Sequence, residues 1–325
     1  MFKEILAAIE ASDTIIIHRH IHPDPDAVGS QLGLRDSLRT TYPDKKVYAV
    51  GFDEPTLAYI GTMDQISDET YKDALVIVND TADTPRIDDQ RFNTGRQLIK
   101  VDHHPNRDPY GDLLYVEEEA SSVSEIWAQV ILSEDNPLKL SVEGAKALFL
   151  GIVGDTGRFL FDTTTPETMR IAGELMSYSF PASELMQLAN TQTVAQAKLQ
   201  GYVLEQMTVT PDGLVSYVTI SQALMQQLSL TEAETHKIVQ LPGSIKGVVA
   251  WVIFVEREGG EHRVHFRSKG PAINEIAENH HGGGHAKASG ATAYSAEERE
   301  AIITEVDRAS QLFKQEREAE GTFNF

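Results

Sequence analysis

The sequence predicts an α/β chain: a parallel-sheet N-terminal domain with helices on both faces, joined by a helical connector to a smaller α+β C-terminal domain. Three observations carry that prediction. Short apolar strands alternate with amphipathic helical segments through the first half, the pattern of a parallel sheet with crossovers. Clusters of histidine and aspartate fall just past those strands or near a helix end, and ligands of open α/β sheets sit at the carboxyl ends of the strands. Near Met207 the texture changes to hairpins with proline and glycine at their turns.

In chain order, MFKEILAAIEASD reads as an amphipathic helix with neither the apolar segment nor the cleavage site of a signal peptide. TIIIHRH is a strand, followed by a helix from about Ala27 to Arg39. KVYAVGF, ALVIVND and QLIKVDHH are three further strands, the last two ending at Asp80 and at Asp102 to His104. SSVSEIWAQVIL and VEGAKALFLGIVGDTG have helical apolar spacing, and the second runs into Asp155. Residues 165 to 206 are helical and polar, punctuated by Pro166 and Pro181. TVTPDGLVSYVTIS and GVVAWVIFVEREGGEHRVHFRSK are hairpins turning at Pro211-Asp212-Gly213 and Gly259-Gly260. HHGGGHAKASGA reads as a glycine-rich loop before a final helix, and EREAEGTFNF as a frayed acidic tail. The expected boundaries are residues 1–188 for the first domain, 189–206 for the connector and 207–325 for the second domain.

The 325 residues hold no cysteine, which removes disulfides, thiolate metal sites and cysteine nucleophiles together and fits a reducing cytoplasm. No apolar run is long enough to span a membrane. The formal charge of −21 excludes a broad phosphate-binding surface for long duplex nucleic acid, which needs many Lys and Arg contacts. An anionic substrate must then be gripped locally, by cations or a small basic pocket.

Four clusters in the first domain could hold cations: His20-x-x-x-Asp24-x-Asp26, Asp80, Asp102-His103-His104, and Asp155 in GDTGRF. Taken singly, a strand-end Asp is a turn or helix cap and a His pair is surface. Taken together, all four land on the one sheet edge where ligands belong. Two divalent cations need several anionic oxygens, one of them shared, plus imidazoles. Oxygen and nitrogen donors without thiolate suit manganese or magnesium, and the histidines favour manganese. Pro23 and Pro25 stiffen the loop so that Asp24 and Asp26 can serve different metals. Gly29-Ser30 is expected to open a helix whose N-terminal amides favour a phosphate.

HIHPDPDAVGS, Asp80, the VDHHP box and GDTGRF resemble, in order and spacing, the four motifs of the DHH phosphoesterase family. FRSKG at 266–270 and GGGHAKASGA at 282–291 resemble the substrate-binding C-terminal domain of its nucleic-acid branch, so the resemblance covers nearly the whole chain. Within the family, the length and layout are most similar to the bifunctional oligoribonuclease and pAp phosphatase branch. The resemblance implies that His20, Asp24 and Asp80 hold one metal, and that Asp26, Asp80, His103 and Asp155 hold the second. It implies two divalent cations, manganese first, with magnesium or cobalt as substitutes. His104 would face the scissile phosphate as donor or general acid, with Asp102 orienting the pair. His22 fits the loop but its role stays open, and His18 is structural. Ser121, Ser122 and Ser124 read as a helix start.

In the second domain Arg267 offers a bidentate fork for phosphate. Gly282, Gly283 and Gly284 let backbone approach an anion, and His285 can donate to it. Ser268, Lys269, Asn274 and Lys287 are further candidates for that pocket. The implied reaction is hydrolysis of short oligonucleotides, of dinucleotides such as pGpG or pApA, or of pAp, by a metal-activated hydroxide. The second domain is expected to close over the nucleotide. Partners are then short single strands and nucleotide bisphosphates, with no duplex, no membrane, and a homodimer carried over from the family. The rivals are a manganese pyrophosphatase, a single-strand exonuclease and a non-catalytic nucleotide sensor.

Overall fold

β-branched residues favour strands, and the isoleucine run after the first helix shows why that segment is central. The chain opens with α1 (Phe2–Glu10), then β1 (Thr14–His18), α2 (Pro25–Thr41), β2 (Lys46–Ala49), β3 (Leu75–Asn79), β4 (Gln97–Asp102) and β5 (Leu113–Val116). Four helices follow: α3 (Val123–Leu132), α4 (Val142–Asp155), α5 (Pro166–Met176) and α6 (Ala182–Ala189). The structure, a computed structural model, describes residues 2–134 and 136–322, and the chain divides into two units, Met1–Thr191 and Gln192–Phe325.

Among the described residues of the first unit, five strands pair in the order β2-β1-β3-β4-β5, every pairing parallel. The chain leaves β1 for β2 on one side and returns as β3 on the other, so β1 and β3 flank the point where strand order reverses. That crevice, at the carboxyl strand ends, is where such sheets bind ligands.

Because side chains alternate along a strand, the two faces have separate cores. Ile15, Ile17, Leu75, Ile77, Ile99 and Val101 pack with buried side chains of α1 to α6. Ile16, Val76 and Val78 face the other way, against Tyr71, Ile87 and Tyr110. The second face is covered by loops and single 3-10 turns, such as Asp68–Tyr71 and Thr84–Arg86, rather than by α-helices. The helices on this face are therefore only single turns. Among the described connections between the five strands of this sheet, only β1–β2 contains an α-helix. The links from β2 to β3 and from β3 to β4, residues 50–74 and 80–96, hold 3-10 turns instead.

The second unit begins with α7 (Val194–Gln206), whose Leu199 and Val203 join its core, so this helix folds with the second unit rather than as a separate connector. It continues through β6 (Thr208–Val209), β7 (Val215–Ile220), α8 (Gln222–Leu228), β8 (Ala250–Glu256), β9 (His262–Ser268), α9 (Asn274–Asn279), β10 (Gly283–His285), β11 (Ala288–Ala293) and α10 (Ala296–Ala319). The six described strands run β10-β11-β9-β8-β7-β6. Both expected hairpins form, β6–β7 and β8–β9, while β7 and β8 pair in parallel with α8 in the connection. Two expectations are corrected. HHGGGHAKASGA is the β10–β11 hairpin at the sheet edge, not a loop. Of the expected acidic tail, Glu316 to Ala319 is the last turn of α10, and Phe323 to Phe325 lie outside the described residues.

Candidate metal centre

The carboxyl ends of β1, β3 and β4 lie side by side, and each delivers donors to one point. After β1 the chain makes an isolated bridge between His20 and Ile87, which fixes His20. Its Nδ1 lies 2.7 Å from the carbonyl of Ile21, a contact that puts the proton on Nδ1 and leaves Nε2 facing inward. Nε2 is 3.6 Å from Asp24 Oδ2 and 3.5 Å from Asp80 Oδ2.

Asp24 caps α2, accepting the amide of Ala27 on Oδ1 at 3.0 Å, so that Oδ2 turns to His20. Pro25 then starts the helix, where its missing N–H costs nothing. Asp26, fully buried, accepts the amides of Val123 and Ser124 at 2.7 and 2.8 Å, at the positive end of α3. Ser122 caps that helix on Glu125, and Ser121 donates to the Glu125 carboxylate, so the serines are the expected helix start.

Two glycines let these helices meet. A Cβ on Gly29 would sit 2.6 Å from the carbonyl oxygen of Ala147 in α4, and one on Gly151 would sit 2.0 Å from Ser124 Oγ and 3.1 Å from Asp26 Oδ1. Gly29 and Ser30 are thus buried inside α2, packed on α4, and do not open the helix to a phosphate. That expectation is corrected: the N-terminus belongs to Asp24 and Pro25.

Asp80 follows β3 with φ +49°, its amide bonded to the carbonyl of Val101 at 3.0 Å. Aspartate tolerates this left-handed conformation better than most residues. Its Oδ1 is buried without a hydrogen-bond partner, 3.5 Å from His103 Nε2 and 3.4 Å from His104 Nδ1. His103 Nε2 is also 3.3 Å from Asp155 Oδ2, at the last residue of α4. Asp102 Oδ1 accepts the amides of His103 and His104 and the ring Nδ1–H of His104, at 2.9, 3.2 and 2.9 Å. Burial works to raise Asp102, but the hydrogen bond and charge of His104, aided by Lys100, hold it below the usual carboxylate range.

Among the described residues, three groups have donor atoms within 4.8 Å of one another: His20, Asp24 and Asp80; Asp26, His103 and Asp155; and Asp80, His103 and His104. Asp80 links the first and third groups, and His103 the second and third. His18 and His22 belong to none. His18 is buried against Tyr71, 3.1 Å from its hydroxyl, and burial lowers its pKa to about 4. His22 is exposed with φ +52°.

The charges fit a pair of cations. Asp24, Asp26, Asp80 and Asp155 supply four negative charges at one spot, matching two divalent ions. With protons as the only compensation, burial and the charge of Asp80 push Asp26 up to about 7. Burial, then the charges of Asp24 and Asp26, push Asp155 well above the carboxylate range. Although burial opposes it, carboxylate contacts raise His20 and His103 well above ordinary histidine. Asp80 and Asp24 are held low, burial being outweighed mainly by those imidazoles. Asp155 also sits at the negative end of α4, where a carboxylate is disfavoured unless a cation offsets it.

Lys100 was not singled out by sequence. It is fully buried on β4, two residues before Asp102 and so on the same face of the sheet. A lysine two positions before a strand-end aspartate is the signal that could have found it.

In the second unit, His285, Ala288 and Arg267 occupy one row across β10, β11 and β9, which puts the side chains of Arg267 and His285 on one face. Arg267 Nη1 donates to the carbonyl of Phe266 at 2.8 Å, while Nε is buried without a partner. Burial, then the charge of Arg263, lowers its pKa to about 10. Ser268 is committed to a turn: its hydroxyl donates to the carbonyl of Pro271 at 2.7 Å and accepts the amide of Gly270 at 2.9 Å. The glycines serve strand packing first. A Cβ on Gly282 would be 2.0 Å from the Gly290 carbonyl, and Gly284, at φ +137°, would place one 2.7 Å from that of Ala288; only Gly283 is open. Lys269 is partly buried, its amide bonded to the carbonyl of Val249. Asn274 opens α9, and the Lys287 carbonyl accepts the Ser268 amide at 3.0 Å.

The profile described as "DHH family, N-terminal domain" matches residues 14–152, and that of the "DHHA1 domain" matches residues 213–311. The chain is 50% identical over 305 residues to the "Probable bifunctional oligoribonuclease and PAP phosphatase NrnA" of Streptococcus mutans, covering 94% of this chain and 97% of that protein. It is 46% identical over 308 residues to the "Bifunctional oligoribonuclease and PAP phosphatase NrnA" of Bacillus subtilis, covering 94% and 98%. The crystal structure of an exopolyphosphatase-related protein from Bacteroides fragilis superposes with TM-score 0.83 at 25% identity, covering 96% of this chain and 95% of that one.

Proposed function

This chain belongs to the DHH family, whose members hydrolyse phosphoester bonds, and from that premise we propose that it degrades short oligonucleotides to mononucleotides and dephosphorylates pAp to AMP. The observation that carries the reading is the convergence of six donors from β1, α2, β3, β4 and α4 on one sheet edge, in a chain alike along its whole length to relatives named for both activities.

In this reading His20, Asp24 and Asp80 hold one cation, and Asp26, Asp80, His103 and Asp155 the other, with Asp80 shared. Manganese suits a donor set of carboxylates and imidazoles without thiolate. Bound divalent ions would acidify a water and neutralise the phosphate. The remaining work belongs to the protein. His104, its Nδ1–H committed to Asp102, turns Nε2 toward the substrate, where in the protonated form it donates to the phosphoryl or leaving oxygen. Asp102 fixes that ring and, through the amides of His103 and His104, the turn that carries both.

Arg267, with His285 in its row and Gly283 open beside them, supplies the anion site of the second unit, and Lys269 adds charge. The absence of cysteine fits action in a reducing cytoplasm. Pairing of two copies, which the family resemblance implies, is read by sedimentation.

The test is a manganese-dependent digestion panel of oligonucleotides from two to about twenty-four residues, the upper length exceeding a single-domain site, with pAp and pyrophosphate alongside. Preference for the shortest oligonucleotides together with release of phosphate from pAp is expected. Turnover of pyrophosphate alone would replace the reading with a pyrophosphatase, and no turnover of any substrate would leave a nucleotide sensor.

A further inference from the structure

Lys100 is a fully buried cation in the middle of a parallel sheet, which no packing argument requires. Its three donor directions are all used: Nζ is 2.9 Å from the carbonyl of Ala82, 3.2 Å from Asn106 Oδ1 and 3.2 Å from the carbonyl of Asp108. The ring of Tyr110 closes one side at 4.7 Å, and the Tyr110 hydroxyl is itself pinned to the carbonyl of Thr81 at 2.8 Å. Ala82 lies two residues beyond Asp80, and Asn106 two beyond His104. The ammonium thus ties together the two loops that carry those residues.

Asp102 Oδ2 lies 3.4 Å from Nζ and has no hydrogen bond of its own. Its other oxygen already takes three donors from the His103–His104 turn. The carboxylate therefore faces the histidines with one oxygen and a fixed positive charge with the other. We propose that Lys100 is a positioning residue for phosphoester hydrolysis: held by the 80–82 and 106–108 loops, it anchors the Asp102 carboxylate so that Asp102 keeps His104 in one orientation and one tautomer. This inference rests on the role given to His104 above.

The test uses Lys100→Met, which keeps the aliphatic stem and deletes the charge, in the full chain. Turnover of a dinucleotide should fall about 10- to 100-fold, the usual cost of losing a partner behind a ligand or acid, with KM within about twofold. Independently of any substrate, ¹⁵N imidazole spectra of the metal-free protein, with His104 identified by its loss in His104→Gln, should show one Nδ1-protonated tautomer in the parent chain and a mixture in Lys100→Met. A merely structural lysine would lower the melting temperature and leave both readouts unchanged, and that result would overturn the proposal. Should the single variant fail to fold, Asp102→Asn/Lys100→Met removes both charges together. Turnover equal to that of Asp102→Asn alone supports action through Asp102, and a full multiplicative loss refutes it. An inactive parent chain would sink the functional reading, while the imidazole spectra would still decide the role of Lys100.

Discussion

The two units handle anions and cations in opposite ways. At the sheet edge of the first, every carboxylate is held by something rigid: Asp24 by the start of α2, Asp26 by the start of α3, Asp80 by a left-handed turn, Asp155 by the end of α4. On the sheet of the second, one partly buried arginine has a buried, unpartnered Nε, beside glycines chiefly occupied with strand packing. The first arrangement stores charge repulsion that two cations would relieve. The second stores desolvation of a guanidinium that an anion would relieve. A centre meant to fix metal geometry needs its ligands held before binding, whereas a site that grips one end of a substrate can rest on a single strong fork.

The sharpest way to break this contrast is Asp80→Asn. Asparagine also accepts the left-handed backbone, so the fold should persist while the shared charge is lost, and kcat should drop on the order of 10³-fold or more. Near-normal steady-state turnover in a folded variant would refute Asp80 as the shared ligand.

Next in size is the response to metal removal. In chelator, Asp26 and Asp155 bind protons more tightly folded than unfolded, and so do His20 and His103. The stability they contribute is fully present below the unfolded pKa values and is lost as pH rises through the folded ones, for Asp26 about 7. The slope is therefore negative between pH 6 and 8, because the folded state binds more protons. Asp24, Asp80 and Asp102, held low, titrate below that window. Thermal melts with chelator should fall from pH 6 to 8, and manganese at about 100 times its Kd should add about 2.7 kcal/mol. Melts indifferent to both would deny the first unit its stored repulsion.

Arg267→Ala probes the other side of the comparison. Losing a charge-assisted contact of about 1.5–3 kcal/mol should raise KM roughly 10- to 100-fold with little change in kcat; an unchanged KM removes Arg267 from the anion site. The smallest effect is expected at Ser268→Ala. Its hydroxyl holds the Gly270–Pro271 turn, so stability should drop by about 1 kcal/mol while KM stays put. A large KM effect would return Ser268 to the substrate site.

How much of this was legible in the sequence differs between the same two regions. The six donors stand at strand and helix ends, where periodicity stops and polar residues become conspicuous, so their convergence could be argued from spacing and the sheet rule alone. The β10–β11 hairpin could not, because its strands are mostly glycine, alanine and serine and carry little apolar signal; β9 supplies the neighbour that brings β11 into the sheet. Gly29 and Ser30 looked like a phosphate cradle because glycine near a helix start is ambiguous; the approach of α4 decides what that glycine is for. Lys100 looked like an ordinary polar residue in a strand until the loops that wrap its ammonium were in place.

The sequence by itself determined the α/β class, the strand ends that bear donors, the chemistry of those donors and the family that shares them, since each depends on residue type and local period. Only the tertiary structure decided which oxygen of each carboxylate is committed to backbone, which helices cover which face, and why one lysine lies buried behind Asp102. Those outcomes depend on contacts between segments far apart in the chain, and a local pattern carries no record of the distance that folding closes between them.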